Sequence, residues 1–268
     1  MQSEPITILD LFSGIGGFSY ASERLVGGFK TEAFCEIDPF CQKVLKKNFP
    51  NIPIYDDVRK LKDDTTRLGR INIVCGGFPC QPFSAASENG TFKRKGVEDE
   101  RFLWGEMFEI AQKVRADWII GENVDGLINM GLDQILSQLE DNNYTTRVFN
   151  IPASAVGANH QRNRLWIVAN SDSSHRARNG ISSRMEKKQQ FDLQNFRVRE
   201  YPFPDWQGES RIHREHDGLS KGMDSIRRKR LKALGNSIVP QVSAHIFQAI
   251  KHIYKMEGEA NEKNIQRS

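Results

Sequence analysis

Four residues stand where side chains could do chemistry. Cys80 lies in "VCGGFPCQPFSAA" (74–86), between Pro79 and Pro82. Proline lacks a backbone donor and restricts the residue before it, so Cys80 cannot sit in a helix interior or a central strand and belongs on a loop. A thiol displayed on a loop is a candidate nucleophile, whereas an unpaired structural cysteine is ordinarily buried as a small hydrophobe. Glu122 falls near the end of the apolar run "DWIIGENV" (117–124). Partial desolvation there raises a carboxyl pKa and suits a glutamate to act as a general acid. "HQRNR" (160–164) opens into "LWIVA", and two-residue alternation predicts Arg162 and Arg164 on one face of a strand. Such a pair ordinarily faces solvent; beside a buried glutamate it can orient the carboxyl and bind an oxygen ligand.

A second group suggests a bound nucleoside. The turn "SGIGG" holds Gly14, Gly16 and Gly17, which do not fit the G-x-G-x-x-G dinucleotide spacing but still let a backbone approach a ligand closely. Glu36 ends the second apolar run and Asp57 follows "IPIY". Each reads equally well as an ordinary surface carboxylate. Together with the turn they point to an adenosine-containing cofactor.

The elements that must position these residues are legible as an alternation. "ITILDLF", "TEAFCEI", "INIVCGG", "DWIIGENV", "YTTRVFNI" and "RLWIVAN" read as strands. "FSYASERLV", "PFCQKVLKKNF", "RFLWGEMFEIAQKVR" and "LDQILSQLED" read as helices, the second opened by Pro39. Strands and helices at this spacing predict a doubly wound, mostly parallel α/β sheet, with ligands beyond the carboxyl ends of the strands. That places "SGIGG", "GGFPCQPF" and "ENVDG" together. From about 171 the composition changes, and residues 171–230 carry too few apolar side chains to build a core of their own. A small, loop-rich lobe is expected there. After Pro240 apolar residues return at helical spacing, predicting a helix that packs back on the main domain, followed by a frayed tail from 257.

The 268 residues allow one large domain with a small attachment. No apolar run reaches the length of a membrane span and the N-terminus lacks a signal core, so a cytoplasmic protein without a membrane partner is expected. Four cysteines without paired spacing predict reduced thiols and no metal site. The net charge is only +4, but residues 171–230 hold 14 Lys and Arg against 9 Asp and Glu. A local surplus of that kind suits a phosphate-binding surface, though many charge runs are simply solvated.

"DLFSGIGG", "GGFPCQPFS", "GENV", "QRNRLWIVA" and "ALGNSIVPQ" resemble, in order and spacing, the signature blocks of the DNA cytosine-5 methyltransferases, over residues 6–170 and roughly 227–250. The resemblance implies a Rossmann-like class I methyltransferase domain from 1–170 plus 228–268, with a small target-recognition region at 171–227. It implies S-adenosyl-L-methionine as cofactor, S-adenosyl-L-homocysteine as product, and a flipped-out cytosine in double-stranded DNA as substrate. Cys80 would be the nucleophile on ring carbon 6, Glu122 would act at ring nitrogen 3, Arg164 would contact base oxygen 2, and Arg162 would brace Glu122. Phe12, Gly14, Gly16, Glu36, Ile37, Asp57, Val58 and Pro79 would frame the cofactor, with Asn236 and Ser237 closing over its methionine end. Residues 84–101, with Lys93, Arg94 and Lys95, would close over the flipped base.

His160 stands where the family often carries glutamine and is read as a structural variant. "NFRVREYPFPDW" and "ESRIHREHDG" would read bases and phosphates. A monomer is expected, with a restriction endonuclease as a cognate partner or a solitary or phage-borne role. Three rivals remain open on sequence: an RNA cytosine methyltransferase of the same fold, a catalytically silent DNA-binding regulator, and a dinucleotide oxidoreductase, which the missing glycine fingerprint disfavours.

Overall fold

The structure is a computed structural model and describes residues 4–79, 102–171 and 221–265. Cys80, the loop 84–101 and nearly all of the expected recognition region lie outside the described residues. β1 (Ile6–Leu11) leads through the glycine turn into a single helical turn, α1 (Gly17–Ser19), which widens into a π-helix at Tyr20–Val26. There follow β2 (Phe29–Cys35), α2 (Pro39–Asn48), β3 (Ile54–Tyr55), α3 (Val58–Asp63), β4 (Ile73–Gly77), α4 (Trp104–Lys113), β5 (Trp118–Asn123), α5 (Leu132–Asp141), β6 (Tyr144–Ile151) and β7 (Arg164–Ser171). Two long helices, α6 (Lys221–Asn236) and α7 (Pro240–Ile265), complete the described chain.

The seven strands form one sheet in the order β3-β2-β1-β4-β5-β7-β6. The pairs from β3 across to β5 are parallel, whereas β7 runs antiparallel to both β5 and β6. The sheet is therefore the doubly wound, mostly parallel one that the alternation predicts, with a reversed strand near one edge. That reversal has a local cause. The connection 152–163 contains one short 3-10 turn, Ala153–Val156, and no crossover helix of the kind that joins parallel neighbours.

Alternation along the strands buries both faces. Leu9, Leu11, Val74, Ile119 and Ile167 pack with Met107 and Ile110 of α4 and Ile135 and Leu139 of α5 on one side. Ile8, Ile73, Ile120 and Trp166 pack with Phe18 of α1 and Val242, Phe247 and Ile250 of α7 on the other. The return of α7 to the main domain is thus as expected. One boundary moves. α7 runs on through Ile265, past the tail expected to fray at 257, over a stretch containing the good helix formers Glu, Ala and Lys. α6 crosses the border expected at 227/228 as one continuous helix.

Candidate active site

The strand order reverses between β1 and β4, and their carboxyl ends open a crevice at that switch point. On its β1 side the chain is tied down by short contacts. The backbone N–H of Ser13 donates to Cys35 O (3.1 Å), while the N–H of Cys35 donates to Ser13 Oγ (3.1 Å). Glu36, only 9% exposed, uses both carboxylate oxygens: Oε2 accepts from the N–H of Gly14 (2.6 Å) and Oε1 from that of Asp38 (2.7 Å). Phe12, Gly14 and Gly16 adopt left-handed φ angles of 51°, 55° and 85°. A methyl at Gly14 would meet nothing within 4 Å, so the turn opens onto free space; one at Gly16 would come within 2.8 Å of the Phe49 ring. Beside this cradle Ile37 is 70% exposed, an apolar surface without cover. Asp57 caps α3, its Oδ1 accepting from the N–H of Arg59 (2.9 Å), and Val58 is buried next to it.

The β4 side is built around Glu122. It pairs with Gly77 across the parallel ladder, where a methyl would lie 3.0 Å from Glu122 Oε2. Arg164 Nε lies 2.9 Å from Glu122 Oε1. Burial pushes the Glu122 carboxyl up to about 7, against the opposing pull of Arg164 and then Arg162. The chain leaving β4 toward Cys80 is pinned as well. Phe78 is buried against Trp104 and Phe102, and its carbonyl accepts from Asn123 Nδ2 (3.2 Å). Pro79 follows directly.

One expectation is corrected here. β7 starts at Arg164, and Arg162 precedes it with a left-handed φ of 34°, so the two arginines do not alternate along one strand. Arg164 makes the 2.9 Å contact with Glu122, and the positive charge of Arg162 also acts on that carboxyl. Arg162 also donates through Nη2 to the carbonyls of Gly235 (2.7 Å) and Ser237 (2.6 Å). Arg162 thus reaches the segment holding Asn236 and Ser237, and Ile238 beyond it packs so closely on α1 that a methyl at Gly17 would lie 2.6 Å from its Cγ1. His160 is exposed.

Sequence reasoning passed over Asp10, Asn123 and Ile238. Asp10 is fully buried on β1, and its Oδ2 accepts from the Ser19 N–H (3.3 Å) and hydroxyl (2.8 Å), fastening α1 to the sheet. Burial raises its carboxyl to about 8, while the Ser19 bonds lower it. A carboxylate within the apolar run "ITILDLF" is the signal that could have found it. Among the described residues, no three His, Cys, Asp or Glu side chains gather as a metal site, and no helix is long and apolar enough to cross a membrane.

Residues 6–217 match the family model of the C-5 cytosine-specific DNA methylases. Among curated proteins the chain is 32% identical over 171 residues to the type II methyltransferase M2.BsuMI of Bacillus subtilis, covering 60% of this chain and 41% of that protein. It is 35% identical over 173 residues to the type II methyltransferase M.MspI of Moraxella, covering 62% and 39%. The match thus spans well under half the length of these relatives. A solved structure described as a DNA modification methyltransferase encoded within an E. coli prophage shares the fold, with a TM-score of 0.50, 24% identity, and coverage of 63% of this chain and 47% of that one. With a family model matched over most of its length, this chain belongs to the C-5 cytosine-specific DNA methylases.

Proposed function

We propose that this protein transfers a methyl group from S-adenosyl-L-methionine to carbon 5 of a cytosine in a specific double-stranded DNA sequence. The observation that carries the reading is the buried Glu122 paired with Arg164 beside the strand exit that leads to Cys80. The β1 side suits the cofactor: open space at Gly14, an uncovered Ile37 for an adenine face, and a Glu36 carboxylate at the turn for ribose hydroxyls. Phe12, Gly16, Asp57, Val58 and Pro79 would complete that pocket, and Asn236 and Ser237 would close it. Bound there, S-adenosylmethionine supplies an electrophilic sulfonium methyl.

The chain's own groups do the rest. The thiols of Cys35 and Cys41 are pushed by burial up to about 12, and burial raises that of Cys75 well above its ordinary value. Such thiols are poor nucleophiles, which leaves Cys80 as the apt one. Its thiolate adds to carbon 6 of the base, breaking the 5,6 double bond and making carbon 5 nucleophilic. Glu122, holding a proton near neutral pH, donates to ring nitrogen 3 as that charge develops, and Arg164 both orients Glu122 and faces base oxygen 2. Carbon 5 would take the sulfonium methyl, with S-adenosylhomocysteine as the leaving group; once a base takes the carbon 5 proton, the electron pair re-forms the double bond and expels Cys80 as thiolate, and ring nitrogen 3 returns its proton to Glu122. The target leaves the helix stack first, at a cost of a few kcal/mol.

We read the protein as a cytoplasmic monomer whose mark protects sites from a restriction endonuclease, without a stable complex between the two. Duplex DNA containing 5-fluorocytosine, incubated with protein and cofactor, should give a covalent adduct that Cys80→Ser abolishes. An adduct with tRNA but none with mixed-sequence DNA would sink the DNA assignment, and bisulfite sequencing of DNA from expressing cells would give the target sequence.

A further inference from the structure

We infer that Arg162 is a positioning residue that latches the returning segment 235–238 over the cofactor crevice, acting on the reaction through cofactor retention. This rests on the cofactor pocket proposed above. One guanidinium nitrogen, Nη2, donates to two carbonyls, Gly235 O at 2.7 Å and Ser237 O at 2.6 Å. Gly235 lies in the last turn of α6, where carbonyls lack partners within their own helix. Arg162 reaches them from a left-handed backbone, φ 34°, a conformation that a residue with a Cβ keeps only when its surroundings hold it there.

The latched segment is wedged on its far side. Ile238 sits where a methyl at Gly17 would come within 2.6 Å of its Cγ1, and its Cγ2 would lie 4.0 Å from a methyl at Gly77, the residue paired with Glu122. The segment therefore bridges α1, which follows the cofactor turn, and the end of β4. Beyond it Val239 and Val242 are buried in the core under α7. Its downstream end is fixed by packing, and its upstream end is held by Arg162. Two residues away, Arg164 turns to Glu122. "QRNR" thus serves both pockets.

The test uses the full chain with Arg162→Ala and Arg162→Lys. A lysine keeps the charge but lacks the planar fork of donors. Amide hydrogen exchange at 235–239 should be roughly tenfold or more faster in Arg162→Ala, with Arg162→Lys in between. The Kd for S-adenosylhomocysteine should rise by about tenfold or more in Arg162→Ala, and Arg162→Lys, which keeps the charge that acts on Glu122, should leave the pH of half-maximal turnover at its wild-type value. Unchanged exchange at 235–239 in a folded Arg162→Ala protein overturns the latch, as does an unchanged Kd for S-adenosylhomocysteine. Wild-type protein that binds no S-adenosylhomocysteine would instead overturn the methyltransferase reading and the cofactor half of this inference, with the exchange comparison still deciding the latch itself.

Discussion

At Glu122 burial wins over charge. An arginine 2.9 Å away would by itself hold a carboxyl below its ordinary range, yet the group is raised from 4.5 to about 7 because solvent is excluded. The folded protein then binds this proton more tightly than the unfolded chain. The associated stability is fully present below about pH 4.5 and is lost as pH rises through about 7. Turnover that needs the protonated acid should fall above about pH 7, and Glu122→Gln should lower it by roughly 100-fold or more while removing that alkaline loss of stability. Rate and melting profiles from pH 5 to 9 check both; an alkaline limb of turnover that survives in Glu122→Gln would assign it to another group. Glu122 was legible because a carboxylate near the end of an apolar run must be partly desolvated. Which of Arg162 and Arg164 makes the 2.9 Å contact was not. Alternation puts Arg162 and Arg164 on one face only if both are extended, and the left-handed backbone at Arg162 turns its side chain toward the segment at 235–237.

Among the elements, the glycine turn between β1 and α1 combines a backbone requirement with a steric one. Gly16 has a φ of 85°, and a methyl there would lie 2.8 Å from the Phe49 ring and 3.0 Å from a Leu45 methyl. Phe49 and Leu45 are themselves packed with Phe34 in a small core behind β2. Gly16→Ala therefore meets both a disfavoured backbone region and a filled space, and should cost about 1–3 kcal/mol in chemical denaturation. Cofactor binding should weaken with it. A variant as stable as wild type would mean that Phe49 yields freely. Elements with a strong local signal were legible almost to the residue, as with α5 and β6, whose bounds Leu132–Asp141 and Tyr144–Ile151 are those of the sequence reading. The reversed β7 was not read as such, because alternation of apolar residues does not encode direction. The helix-free connection before it does, since a parallel neighbour needs a crossover.

The whole molecule depends on a chain that leaves the sheet after β7 and comes back. Residues 171–220 hold too few apolar side chains for periodicity to report their form, whereas the returning helix α7 announces itself by its apolar stripe. α7 covers the sheet face opposite α4 and α5, and Phe247 is its keystone: fully buried, with its ring 5.2 Å from that of Phe29 and 6.4 Å from that of Phe18. The same helix is tied at the amino ends of the strands, where Tyr254 donates to Asp117 Oδ2 (2.8 Å) and Lys251 to Gly27 O (2.8 Å). Since α7 also anchors the segment with Ser237 and Ile238, its packing governs both stability and the cofactor side of the crevice. Phe247→Ala should cost about 3–5 kcal/mol, because the cavity lies between three elements that cannot all close on it. If the two faces form one cooperative core, the denaturation midpoint falls while the slope of the transition keeps its wild-type value. A second, earlier transition in wild type, with α7 melting before the sheet, would instead show that the returning helix folds as a separate unit, and Phe247→Ala would then shift that transition alone.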